Sequence, residues 1–72
     1  MKLTWQRDPR PFYLVARINY EHGAITATGL REEHIEPVAA WCRENRCGVR
    51  TSFDQFRFRN EKEIAVFLLR WA

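Results

Sequence analysis

Phe12-Tyr13-Leu14-Val15-Ala16-Arg17-Ile18-Asn19-Tyr20 is the stretch that decides the fold. Phe12, Leu14, Ala16, Ile18 and Tyr20 fall on one side, and Tyr13, Val15, Arg17 and Asn19 on the other. Successive strand residues point to opposite faces, so this period of two predicts a half-buried β-strand. Glu21-His22-Gly23 then reads as a tight turn, because glycine accepts positive φ. Ala24 to Thr28 returns as a second strand, with Ile25 and Ala27 on one face. Upstream, Asp8-Pro9-Arg10-Pro11 excludes regular helix or central strand. Residues 1–11 show no clear period and read as an N-terminal arm carrying Leu3 and Trp5. Residues 12–72 form the domain.

Downstream the period lengthens. Ile35, Val38, Ala39 and Cys42 follow helical spacing, predicting a helix from Glu32 or Glu36 to Asn45. Pro37 fits a first turn, which favours a start near Glu36. Glu32, Glu33 and Glu36 then stand near the positive end of the helix dipole, with Arg43 and Arg46 near the negative end. Gly48 is the expected stop. Cys47, Val49, Thr51 and Phe53 alternate with Gly48, Arg50 and Ser52, predicting a third strand. Asp54-Gln55 makes a turn, and Phe56 and Phe58 alternate with Arg57 and Arg59 in a fourth. Asn60 caps a second helix, with Glu63 in the capping-box position. Ile64, Phe67, Leu68 and Trp71 form its buried stripe.

The order is ββαββα. It predicts an α+β fold, one four-stranded, mainly antiparallel sheet with two helices packed on one face. Phe12, Leu14, Ile18, Val49, Phe53, Phe56 and Phe58 are the expected sheet side of the core.

At 72 residues the chain is one small domain. Hydrophobic residues are 46% and charged residues 29%, which is ordinary globular composition and excludes a disordered or fibrous class. No run approaches the roughly 20 apolar residues of a membrane span. The first residues lack the apolar run of a secretory signal, so a cytoplasmic location with free thiols at Cys42 and Cys47 is expected. A zinc site needs about four ligands. Only His22 and His34 could join the two cysteines, and neither has finger-like spacing, so no metal and no cofactor is expected. No catalytic constellation is visible either. Ser52 is the single serine, and Gly23, Gly29 and Gly48 are isolated. Glu32, Glu33, His34 and Glu36 diverge around a helix. The expectation is a protein that is not an enzyme.

Recognition is better served. Twelve basic residues stand against nine acidic ones, a mild net charge of +3, so their distribution matters more than their sum. Ten of the twelve are arginine, whose planar fork suits phosphate or carboxylate. With the large apolar residues turned to the helices, Tyr13, Arg17, Arg50, Arg57 and Arg59 would share the open sheet face. Such a face could hold a phosphate backbone or an acidic protein. On the last helix, Val66 and Leu69 fall opposite the buried stripe and need cover from the N-terminal arm, a second copy or a partner. Trp41 flanks the stripe of the first helix, and tryptophan is enriched at binding hot spots.

Phe56-Arg57-Phe58-Arg59-Asn60-Glu61-Lys62-Glu63, followed by Ile64-Ala65-Val66-Phe67-Leu68-Leu69-Arg70-Trp71, resembles the endings of short uncharacterised bacteriophage proteins. Those endings run from an aromatic strand through Asn-Glu or Asp-Glu into a helix closing in Phe-x-Leu-x-Trp. The resemblance spans about 16 residues and is carried by capping and helical period. It implies a viral accessory protein acting in the host cytoplasm and carries over no catalytic or binding residue. The leading expectation is therefore a small binding module for a host or viral protein, using the arginine face or Trp41, Val66 and Leu69. The alternatives are a nucleic-acid-binding protein using that face and a homodimer joined through the terminal helix.

Overall fold

The computed structural model describes residues 2–19, 25–26 and 29–72. Seven elements follow one another: β1 (Lys2–Arg7), β2 (Tyr13–Asn19), β3 (Ile25–Thr26), α1 (Glu32–Asn45), β4 (Val49–Ser52), β5 (Gln55–Arg57) and α2 (Glu61–Trp71). The fold is α+β. Its expected ββαββα order runs from β2 to α2, with β1 added in front. All strand pairs are antiparallel, in the order β1-β2-β5-β4, and β3 pairs with the end of β2. A strand has two edges. β1 lines one edge of β2, so β5 and β3 divide the other between them.

Leu14, Ala16 and Ile18 of β2 are buried, as the alternation predicts. Phe56 stands opposite Leu14, so it shares their face. Leu14, Ala16 and Phe56 form one cluster with Ile35, Val38, Ala39 and Cys42 of α1 and Ile64 and Phe67 of α2. Both helices therefore cover the same side of the sheet. The centre is aromatic. Phe67 lies edge-on to Trp5 at 4.8 Å and to Phe58 at 5.0 Å, and Trp41 meets it at 6.0 Å. Each such pair adds about 0.5–1.5 kcal/mol beyond simple burial.

The structure corrects four local expectations. The expected arm contains a strand: Leu3 and Trp5 turn inward while Thr4 and Gln6 turn out. Arg7 occupies the next inward position opposite Leu14, which hid the alternation; at the strand end it reaches α2 and bonds both carboxylate oxygens of Glu61 at 2.8 Å. Phe12 is not a strand residue. It precedes β2 at φ 64, and its carbonyl accepts from the Phe58 N–H at 2.8 Å.

Helix α1 starts at Glu32 and not near Glu36, so Pro37 lies inside it. An interior proline costs about 3 kcal/mol. The longer helix offsets this by burying Ile35 completely and by letting the Arg31 N–H donate to His34 Nδ1 at 2.9 Å. The helix ends at Arg46, not Gly48. Arg46 takes φ 51, and the Cys47 N–H reaches back to the Cys42 carbonyl at 3.1 Å, as in a Schellman stop.

The fourth correction is the phase of β4. Val49 and Phe53 are 55% and 43% exposed and do not join the core. The expected turn at Glu21-His22-Gly23 and the strand residues Ala24, Ala27 and Thr28 lie outside the described residues. Helix α2 matches expectation: Asn60 Oδ1 accepts from the Glu63 N–H at 3.0 Å, and Glu63 answers by accepting from the Arg59 N–H at 2.8 Å.

Candidate functional site

The reversed phase of β4 dissolves the expected arginine sheet face. Arg50 stands opposite Phe56, so it lies on the helix side. There its guanidinium grips both oxygens of Glu32 on α1 at 2.7 Å. Arg17 and Arg57 do face the open side with Tyr13, since Tyr13 pairs directly with Arg57. Arg59 lies beyond β5, in the link to α2, where Glu63 holds it at 2.7 Å. Neither Tyr13 nor Arg17 is idle. The Arg10 guanidinium covers the Tyr13 ring at 4.0 Å from its centroid, and Arg17 bonds Asp54 at 2.8 Å. The four arginines thus sit on three different surfaces.

Three of them nevertheless converge, together with two from the C-terminal end of α1. A cleft of about 600 Å³ opens between the second half of α1 and the start of β4. Ala39, Cys42, Gly48, Val49 and Phe58 supply its apolar lining. Arg43, Arg46, Arg50, Arg57 and Arg59 supply five guanidinium groups, and Glu63 the only carboxylate among the described residues.

Val49 and Arg57 belong to the open face, whereas Ala39 and Cys42 belong to the helix layer. The cleft therefore straddles the edge of the sheet. Gly48 borders it at φ 91, and a Cβ there would fall 2.5 Å from Phe58 Cε1. The ring of Phe58 occupies the space a side chain would need.

The charge is not evenly committed. Arg43 bonds Glu36 at 2.9 Å, Arg50 bonds Glu32 and Arg59 bonds Glu63. Hydrogen bonds from those arginines hold the Glu32 and Glu63 carboxyls below their ordinary value. Among the described residues, Arg46 and Arg57 have no acidic partner within salt-bridge distance. A shallower hollow of about 330 Å³ continues the basic rim past Arg46 to Lys62 and is bordered by Val66.

The remaining expected site residues do not join the cleft. Trp41 is half-buried and lies edge-on to Trp71 at 6.4 Å, so it is a core-edge residue. Leu69 is 88% exposed and Val66 45%, and neither is covered by the N-terminal segment. Trp5 and Leu3 pack on the core instead.

Burial pushes the Cys42 thiol up to about 12, so it stays protonated and poorly nucleophilic at neutral pH. Cys47 is also free and buried, and its Sγ donates to the Glu63 carbonyl at 3.3 Å. Among the described residues no three histidine, cysteine or acidic side chains gather in a metal-ligating group, and no helix is long and apolar enough to cross a membrane. No protein-family model, curated protein or solved structure matches the chain.

Proposed function

We propose that the chain is a small non-catalytic binding module that takes an acidic segment of a partner protein into the arginine-rimmed cleft. The observation that carries this reading is the pair of cleft arginines, Arg46 and Arg57, that lack an acidic partner among the described residues and stand beside an apolar lining. An anion alone would need no such lining. A protein segment carrying carboxylates and an apolar side chain uses both parts. In the phage setting implied by the C-terminal resemblance, the partner is a host or viral protein.

Nucleic acid fits less well. Single-strand binders combine basic grooves with open aromatic faces. Here Arg10 covers Tyr13, and Phe53 lies 5.6 Å beneath the Arg50 guanidinium.

Fluorescence anisotropy tests the reading, with a labelled glutamate- and leucine-containing peptide and a labelled single-stranded oligonucleotide as probes. The peptide should bind, and Arg46→Glu and Arg57→Glu should each weaken it about tenfold, since like charges then face each other. Circular dichroism should show both variants folded, because both positions are exposed. Peptide affinity indifferent to both charge reversals would end the proposal. So would tighter binding of the oligonucleotide with a steep salt slope.

A further inference from the structure

The occupant's conformation follows from where the cleft lies. Among the described residues β4 is the last strand of the sheet, paired only with β5. Alternate backbone N–H and C=O groups on such a strand point outward without a ladder partner. Natural edges are blunted by bulges and charged side chains, and β4 shows both in its second half. Its pairing shifts between Arg50 and Ser52, and the Arg50 guanidinium donates to the Ser52 and Phe53 carbonyls at 3.3 and 2.9 Å. Among the described residues nothing of this kind blocks the first half, Val49 and Arg50, or Gly48 just before it. It is also the half that borders the cleft.

We infer that an extended acidic segment of the partner adds as a strand to the free edge at Gly48–Arg50. Its alternate side chains would reach Arg43 and Arg46 on the helix side and Arg57 on the open side. A strand displays its side chains to two faces in turn, and this cleft offers guanidinium groups on both. A helical segment would present its carboxylates to one side only and leave the backbone edge unpaired. The inference rests on the binding function proposed above and adds to it a main-chain ladder.

N-methylation separates the two. The probe is a short end-capped peptide with consecutive glutamates between two valines, so that an extended chain carries carboxylates on both faces, used with the whole protein. Two further versions carry N-methyl groups on the odd or on the even residues, which removes half of the backbone donors in each case and leaves the charge unchanged. One methylated version should bind about tenfold more weakly or worse than the parent, roughly the loss of one or two net hydrogen bonds. The other, methylated on its solvent side, should bind nearly as the parent does. In nitrogen–proton spectra the amides of Gly48–Arg50 should move most and gain protection from exchange. Equal affinity of all three peptides, still sensitive to Arg46→Glu and Arg57→Glu, would overturn strand addition and leave the cleft reading standing. No binding by any of them, or binding insensitive to both arginines, would overturn both.

Discussion

β2 and β4 flank the same short strand, β5, yet different forces fix them. β2 is paired on both edges, and its apolar residues Leu14 to Ala16 and Ile18 are buried. Leu14 and Ala16 pack with the helix residues, Ile18 is buried on the same face, and even Val15, on the open side, is only 6% exposed. β4 is paired on one edge. Its inward position belongs to Arg50, and its outward position to Val49. Apolar burial is worth roughly 25 cal/mol per Å², so phase in the inner strand is decided by the large area at stake. On the edge that area is small. Two local contacts take over: Phe58 lying across Gly48, and the Arg50 fork closing on Glu32. An inner strand is placed by its oil, whereas an edge strand is placed by its neighbours and is free to serve a binding surface.

The largest effect that tests this contrast is in the core. Leu14→Ala in β2 should destabilise by about 3 kcal/mol, within the usual range for a buried leucine. Val49→Thr in β4 should change stability by no more than about 0.5 kcal/mol, as surface substitutions do. Urea denaturation with an unchanged slope measures both. Equal losses at the two positions would break the contrast.

Gly48→Ala comes next. The new Cβ would strike the Phe58 ring at 2.5 Å while the backbone stays at φ 91, where only glycine is comfortable. Thermal unfolding should show a loss of about 2 kcal/mol. In a Phe58→Leu background Gly48→Ala should cost less, since the steric share is gone and only the backbone share remains. A neutral Gly48→Ala would mean that the start of β4 is not held by this contact.

These same contacts explain what could be read from the chain in advance. β2 and α2 were legible because burial imposes an unbroken period and Asn60 marks a helix start. β1 was hidden by a single residue, Arg7, which sits inward but escapes to Glu61. The phase of β4 is masked because Val49 and Phe53 are apolar, and nothing local says that an edge will leave them in water. The cleft was not legible at all. Arg43 and Arg46 come from α1, and Arg57 from β5, and only the placement of β4 outside β5 brings them together. The sole local sign was Gly48 followed by alternating residues, which also fits an ordinary helix stop.

The smallest expected effect compares the two ends of the sheet through their ion pairs. At the β1 end Arg7 bonds Glu61, and at the β4 end Arg50 bonds Glu32. In both cases the guanidinium hydrogen bonds hold the carboxyl below the ordinary glutamate value of 4.5. A carboxyl whose pKa is lower in the folded than in the unfolded chain stabilises the fold above the unfolded value. That contribution is lost as pH falls through the folded value. The melting temperature should therefore be flat near neutrality and decline only below about pH 4.5, with salt shrinking the decline because both glutamates are exposed. Glu61→Gln and Glu32→Gln should each flatten this acid limb. Arg50 is the more enclosed of the two arginines, at 23% side-chain exposure against 54% for Arg7, so Glu32→Gln should flatten it more. A larger response to Glu61→Gln would place the stronger clamp on β1, and the phase of β4 would then have to rest on Gly48 and Phe58 alone.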